Sequence, residues 1–193
     1  KIKLVPVARV FPRQELRFTR PGVRPALVES VKRSGVLAPV PVIRREKKFR
    51  LVGGFSRYES AVAAGREEIA VRLLPDNIPL RSLLCRVVEA HLVNRTLNLV
   101  EKARLLSIFN TLNISAGERQ RDVYPLLDIE GKSPLVNKFE EVLNAVPVLQ
   151  SYIETYDLYM RQANHLVNLS ASAQEGFMKG AWELPIRPVE WNK

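Results

Sequence analysis

The stretch Leu51-Val52-Gly53-Gly54-Phe55-Ser56-Arg57-Tyr58-Glu59-Ser60-Ala61 runs from an apolar strand-like segment, through two glycines, straight into a helical pattern. Paired glycines let the chain reverse without Cβ hindrance. A helix that starts at once after such a turn points its first backbone N–H groups, and the positive end of its dipole, into one small space. That arrangement suits a phosphate. Arg57 adds a forked cation beside it.

Outward from this turn, the first 80 residues alternate short elements. Ile2 to Val7, Val40 to Arg44, Phe49 to Val52 and Ile69 to Leu74 are β-branched or apolar runs of strand length. One helix is expected from Pro25, favoured at a first helical position, to Gly35, a residue suited to the left-handed exit. A second is expected from about Ser56 to Ala64, closed by Gly65. Alternation of this kind builds an α/β layer.

From Leu80 onward apolar residues recur at three and four, as in Leu105, Leu106, Phe109 and Leu112, and no strand pattern follows. Asn98 and Glu101 have capping-box spacing, so a helix is expected from there to about Leu112. Further helices are expected after Ser133-Pro134, over Val148 to Tyr156, and over Arg161 to Leu169. Tyr152, Tyr156 and Tyr159 recur at helical spacing and are expected to pack the helical core. The tail from Leu184 to Pro188, with Trp182 and Trp191, reads as an extended strap. The fold class expected is therefore α+β: a small α/β domain over residues 1–79 and an all-α, helix-turn-helix-like domain over 80–193, hinged at Asp76-Asn77-Ile78-Pro79.

The net charge of +10 is unevenly placed. Residues 1–80 hold 17 Lys/Arg against 7 Asp/Glu, whereas residues 81–193 hold 13 of each, so a polyanionic partner is expected on the first half. The basic residues cluster as Arg13, Arg17, Arg20 and Arg24, and again as Arg44, Arg45, Lys47, Lys48 and Arg50. No apolar run is long enough to span a bilayer and no secretory leader opens the chain, so no membrane association and a cytoplasmic location are expected. The chain starts without methionine, and an excised fragment of a longer protein is expected. Cys85, alone, forms no internal disulfide, and His91 and His165 are too far apart to be a local ligand pair, so no zinc site is expected.

The turn and its neighbours resemble the ParB/sulfiredoxin superfamily. Gly53-Gly54-Phe55-Ser56-Arg57-Tyr58 matches the Gly-Gly-Cys-His-Arg-Tyr of sulfiredoxin at four of six positions. Gly54, Arg57 and Ala61 match the glycine, second arginine and later alanine of the ParB Gly-Glu-Arg-Arg box. Glu29-Ser30-Val31, Gly35 and Pro39-Val40-Pro41-Val42 resemble the ParB run upstream of that box, and Asn94 to Ala103 resemble the run downstream. The likeness extends more loosely to Val146-Gln150 and Leu158-Ala163.

The resemblance implies a partition-type protein that binds CTP with Mg2+, self-associates as a homodimer and contacts DNA. It would place the phosphates at Gly53, Gly54, Phe55, Ser56 and Arg57, and the base along Gly35, Val36, Leu37, Ala38 and Pro39. The segment of His91, Asn94 and Arg95 would close on the phosphates. Phe55 and Ser56 replace the glutamate and first arginine of the ParB box, so hydrolysis lacks its usual groups; Glu59 and Glu89 are the candidate catalytic carboxylates. Phe55 also stands where sulfiredoxin has its cysteine, and a phenyl ring cannot be a thiolate nucleophile. For DNA, the helix after Pro134 would present Asn137, Lys138 and Asn144, although Glu140 and Glu141 accompany them. Two other readings stay open: a phosphotransferase or nuclease of the same fold, and a non-catalytic protein-binding adaptor.

Overall fold

The computed structural model describes residues 1–93, 95–129 and 135–183. The chain divides into two compact units, Lys1–Val93 and Asn94–Lys193.

The first unit is built on a five-stranded mixed sheet of order β1-β5-β3-β4-β2. Its strands are β1 (Ile2–Pro6), β2 (Val10–Pro12), β3 (Val40–Arg45), β4 (Lys48–Leu51) and β5 (Glu68–Leu74). Strand β5 pairs antiparallel with β1 and parallel with β3, β3 forms a hairpin with β4, and β2 lies parallel to β4 at the edge. Four of these strands match the expected runs. The fifth, β2, was not expected: three residues ending in proline carry no alternation, and parallel pairing of Val10 with Phe49 and Pro12 with Leu51 makes it a strand.

One sheet face carries Val5, Val10, Val42, Leu51, Ile69 and Val71, all buried. Burial of that face is what sets the register, because a slip of one residue would turn all of these to solvent. Helices α1 (Pro25–Ser34) and α2 (Phe55–Ala63) pack on one another, and α2 packs on β3. Pro25 opens α1, and Gly35 ends it at φ 69°, as expected from sequence.

Helix α3 (Leu80–Leu92) belongs to this first unit, so the units divide after Val93 and not after Pro79. Its apolar side, Leu83, Leu84 and Val88, is fully buried. His91 sets its ring edge-on to Phe18 with centroids 5.4 Å apart. The residues Asp76 to Pro79, expected as an interdomain hinge, instead join β5 to α3 within one unit.

The second unit is helical: α4 (Leu99–Asn110), α5 (Ala116–Glu118), α6 (Leu135–Asn144), α7 (Pro147–Tyr156), α8 (Met160–Val167) and α9 (Ala171–Glu183). Asn98 caps α4 by accepting from Glu101 N–H, and Glu101 accepts from Asn98 N–H, so the expected capping box is present. Helix α5 starts on a second such box, Ser115 with Glu118, and continues as a π turn over Arg119–Val123. A 3-10 turn over Pro125–Leu127 follows, because Pro125 has no N–H to continue the ladder. Residues 130–134, which hold the expected turn and Ser133-Pro134 start, lie outside the described residues.

Helix α9 was not expected, and Trp182 falls within its span and not in a strap; Leu184 to Pro188 and Trp191 lie outside the described residues. Of the three tyrosines only Tyr152 is buried: Tyr156 is 39% and Tyr159 79% exposed, because Asp157 breaks the helical face at φ 50°.

Glutamines tie these helices together. Buried Gln174 on α9 accepts from Val146 N–H at 2.9 Å and donates to the carbonyls of Val167 (3.1 Å) and Leu169 (2.9 Å). It thus satisfies the start of α7 and the end of α8, groups that no intrahelical bond can serve. Gln150 does the same for α6, donating to Leu143 and Ala145 carbonyls at 3.0 Å. Gln174→Ala leaves three backbone groups short of a partner and is expected to cost about 2–3 kcal/mol. The check is a urea denaturation midpoint; a loss under about 0.5 kcal/mol means the staple contributes nothing.

Candidate functional site

The turn between β4 and α2 is shaped by what cannot fit in it. A Cβ on Gly53 would stand 2.7 Å from Val87 Cγ1 on α3 and 3.2 Å from Pro41 Cγ on β3. Gly54 follows in the left-handed region, φ 74° and ψ 30°, and is the N-cap of α2. The first helical bond runs from Tyr58 N–H to Gly54 carbonyl. The N–H groups of Phe55, Ser56 and Arg57 precede it, and no side chain caps this helix start. Gly54 has no side-chain oxygen to serve as a cap, so the donors stay aimed out of the turn.

Arg57 folds back over the same turn. Its guanidinium Nη2 comes to 3.0 Å from the point where a Gly54 Cβ would stand. Nη1 donates to the carbonyls of Ala38 (2.5 Å) and Pro39 (3.3 Å), which ties the loop of Gly35 to Pro39 to the glycine turn. Among the described residues no carboxylate pairs with Arg57, and neither Nε nor Nη2 makes a hydrogen bond. Burial, and then the charge of Arg72 on β5, hold this guanidinium below its ordinary pKa. The half-buried guanidinium and the uncapped helix start thus lie at one turn with no acid paired to the arginine among the described residues.

The other expected residues are placed as follows. Glu59 accepts from both Arg17 Nη1 and, at 2.9 Å, Arg17 Nη2. Arg17 also donates to the carbonyls of Thr19 (3.2 Å) and Arg20 (3.1 Å), and its guanidinium lies 5.5 Å from the Phe55 ring centroid. With its side chain only 6% exposed, Arg17 needs that carboxylate, so Glu59 serves as its half-buried counter-charge. Phe55 is itself buried, Ser56 and Val36 are half-buried, and Leu37 is 78% exposed. Glu89 is exposed on α3.

Arg95, expected to close on phosphates, is engaged by buried Glu101 through two bonds of 2.7 and 2.5 Å. The Glu101 hydrogen bond outweighs burial and raises the Arg95 pKa. Asn94 lies outside the described residues. On α6, Asn137 and Asn144 are exposed and Lys138 is half-buried, with Glu140 exposed beside them. Among the described residues no group of three or more His, Cys, Asp or Glu could hold a metal ion, and no helix is long and apolar enough to cross a membrane. An open cleft of about 430 Å³ between β2 and α2, lined by Val10, Phe11, Tyr58 and Arg66 among others, includes none of Gly53 to Arg57.

Sequence reading did not single out Arg17 as the partner of Glu59, or Arg72 as the second cation near Arg57. Both pairings span β-sheet and loop contacts far apart in sequence and have no local pattern to betray them.

Comparison with solved structures finds this fold. The C2221 form of a Pnob8-like ParB-N domain matches with a TM-score of 0.52 at 16% identity, covering 92% of this chain and 88% of that one. C-terminally truncated chromosome-partitioning protein ParB from Caulobacter crescentus matches in a complex with CTP-gamma-S, with a TM-score of 0.41 at 17% identity over 93% and 98% of the two chains. The same protein complexed to the centromeric parS site matches with a TM-score of 0.46 at 15% identity over 93% and 92%. No protein-family model and no curated protein matches the sequence. The fold is thus that of a ParB N-domain.

Replacing Gly53 by Ala forces Val87 and Pro41 apart. Val87 is β-branched and cannot swing clear, so Gly53→Ala is expected to cost about 1–3 kcal/mol. Thermal melting checks it, and an unchanged Tm would show that α3 yields to a methyl group.

Proposed function

From a ParB N-domain-like fold that carries an uncapped turn beside an unpaired arginine, we propose that this protein binds the phosphates of a nucleoside triphosphate at Gly53, Gly54, Phe55, Ser56 and Arg57. The observation that carries the reading is Arg57, a half-buried cation without a carboxylate partner among the described residues, folded against Gly54 at a helix start whose N-cap makes no side-chain cap. The loop Gly35, Val36, Leu37, Ala38 and Pro39, held through Arg57, would receive the base. The sequence likeness of these segments to the ParB/sulfiredoxin superfamily favours CTP among nucleotides.

The residues fit a triphosphate better than they fit a metal ion. Arg57, Arg72 and the backbone amides all seek negative charge, and Glu59 is committed to Arg17. Mg2+ would therefore arrive on the phosphates, held by their oxygens and water, as this ion commonly is. Binding is what the arrangement favours; no carboxylate of the turn is at liberty to orient a water for hydrolysis. Arg95 is held by Glu101, so the grip is assigned to Arg57 and the amides, and the sequence likeness alone adds His91 and Asn94.

The rest of the reading is a switch. Phosphate held at the start of α2 would fix α2, the 35–39 loop and the neighbouring α3 in one arrangement, favouring association with a second copy of the chain and DNA engagement by the helical unit. There the exposed Asn137 and Asn144 of α6, two turns apart, would read base edges with Lys138 beside them.

Isothermal titration with CTP and Mg2+ tests the site. The intact chain is expected to release heat of binding, and Arg57→Ala to weaken affinity at least about thirtyfold, the loss of charge-assisted hydrogen bonds worth about 2 kcal/mol. No heat with any of the four ribonucleoside triphosphates, or an Arg57→Ala variant that binds as the parent does, overturns the reading.

A further inference from the structure

The first unit holds nineteen Lys/Arg against eight Asp/Glu, while the second holds eleven against twelve. The proposed phosphate turn takes Arg57, and Glu59 neutralises Arg17. The largest remaining group sits on the β3–β4 hairpin.

Strand alternation and register show how it is arranged. Val42 and Leu51, cross-strand partners, point into the core with Val10 of β2. Arg45 and Lys48 are also cross-strand partners, as are Ile43 and Arg50, and Arg50 is opposite Phe11. These residues lie one position out of step with Val42, Leu51 and Val10, so they share the opposite face of the sheet. On that face Arg45, Lys48 and Arg50 are exposed, with Lys47 exposed at the tip. Among the described residues none of these four forms an ion pair or side-chain hydrogen bond.

The acids nearby do not cancel the charge. Glu15 is taken by Arg13 at 2.6 Å, and its carboxyl is held low against burial by that bond and by the charges of Arg13 and Arg50. Glu46 at the hairpin tip is the other. Arg45, Lys48 and Arg50, with Lys47 at the tip, thus outnumber Glu15 and Glu46, while Arg44, the partner of Phe49, turns to the other face.

Spacing and composition decide what such a face could bind. Lys48 and Arg50 are two residues apart on one strand, roughly 7 Å, and Arg45 lies across from Lys48 at roughly 5 Å. A row of cations at this spacing suits a row of phosphates. The face carries one exposed aromatic ring, Phe11, and the Lys48 ammonium lies 4.9 Å from its centroid, which leaves no open platform for stacking successive bases. A protein partner would need a larger apolar centre than this face offers.

We infer that the exposed face of the β3–β4 hairpin is a second DNA-contact surface, which grips the phosphate backbone of a duplex through Arg45, Lys48 and Arg50 without reading its sequence. The inference rests on the reading that the protein engages DNA, but it assigns the contact to the first unit and to residues outside α6. Its role is to hold the protein on any duplex, while the asparagines of α6 choose among sequences.

The test measures binding of the full chain to a short duplex of arbitrary sequence by fluorescence anisotropy across a salt series. The triple variant Arg45→Gln/Lys48→Gln/Arg50→Gln is expected to lose at least tenfold in affinity at low salt. Its log–log salt slope should shrink by about 2.7, three phosphate contacts at about 0.9 each. Arg45→Lys/Arg50→Lys should keep the parent's slope, and Lys32→Gln/Arg33→Gln, which removes charge from α1, should leave it within about 0.5. Circular dichroism melts establish that each variant is folded.

A triple variant with the parent's affinity and slope overturns the inference, and so does an equal loss in the α1 variant, which would make the effect one of net charge. Tighter binding of a single-stranded oligonucleotide than of duplex, or loss of binding only to phosphatidylserine vesicles, assigns the face to another partner and overturns it too. Asn137→Ala/Asn144→Ala separates the two readings. If it alone weakens binding to the arbitrary duplex, the hairpin inference falls; if the hairpin variant alone does, the inference stands, as expected of a contact that does not read sequence. Should the parent chain bind no duplex at low salt, both fail.

Discussion

Between Pro41 on β3 and Val87 on α3 there is room at position 53 for a hydrogen and not for a carbon. That close approach is what lets α3 seat its buried side, Leu83, Leu84 and Val88, in the first unit. It also fixes how sharply the chain leaves β4, so that Gly54 enters the left-handed region and α2 begins at once. Because the N-cap position is taken by glycine, no side chain there caps α2, and its first amides stay available. One packing constraint thus sets the boundary of the unit and the chemistry of its turn.

Two arginines near this turn illustrate how differently burial is resolved. Arg17 is nearly inaccessible, and the protein supplies everything its guanidinium requires: a two-pronged carboxylate from Glu59, two carbonyls, and the Phe55 ring. Arg57 receives two carbonyls at one nitrogen and a like charge from Arg72. The first arrangement is complete within the protein and holds segment 14–20 to α2. The second is short of negative charge, and such incomplete sites are where ligands are expected.

The helical unit solves a different problem. Its helices are short, so a large share of its backbone groups sit at helix ends without intrahelical partners. Glu101 serves the start of α4 and binds Arg95 as well, while Gln150 and Gln174 serve three other helix ends from a distance. Arg104 adds a tie from α4 to Glu154 on α7 at 2.6 Å. Polar side chains here do structural work, which is why Arg95 resembles a ligand group in sequence and is a cap partner in space.

What the sequence by itself determined was the set of features whose causes lie within a few residues of each other. Pro25 and Gly35 bound α1, Asn98 and Glu101 start α4, and the paired glycines mark the turn, because proline, glycine and capping side chains act on their own local backbone. Tertiary structure alone decided the rest. Strand β2 exists only through pairing with β4, and α9 forms despite Gly176 and Gly180 because Gln174 and Met178 bury against its neighbours. The unit boundary moved to Val93 because the partners of α3, Gly53 and Phe18, are far from it in sequence. Likewise, that Glu59 is consumed by Arg17 while Arg57 has no acid depends on which side chains meet across the fold, and periodicity carries no record of that.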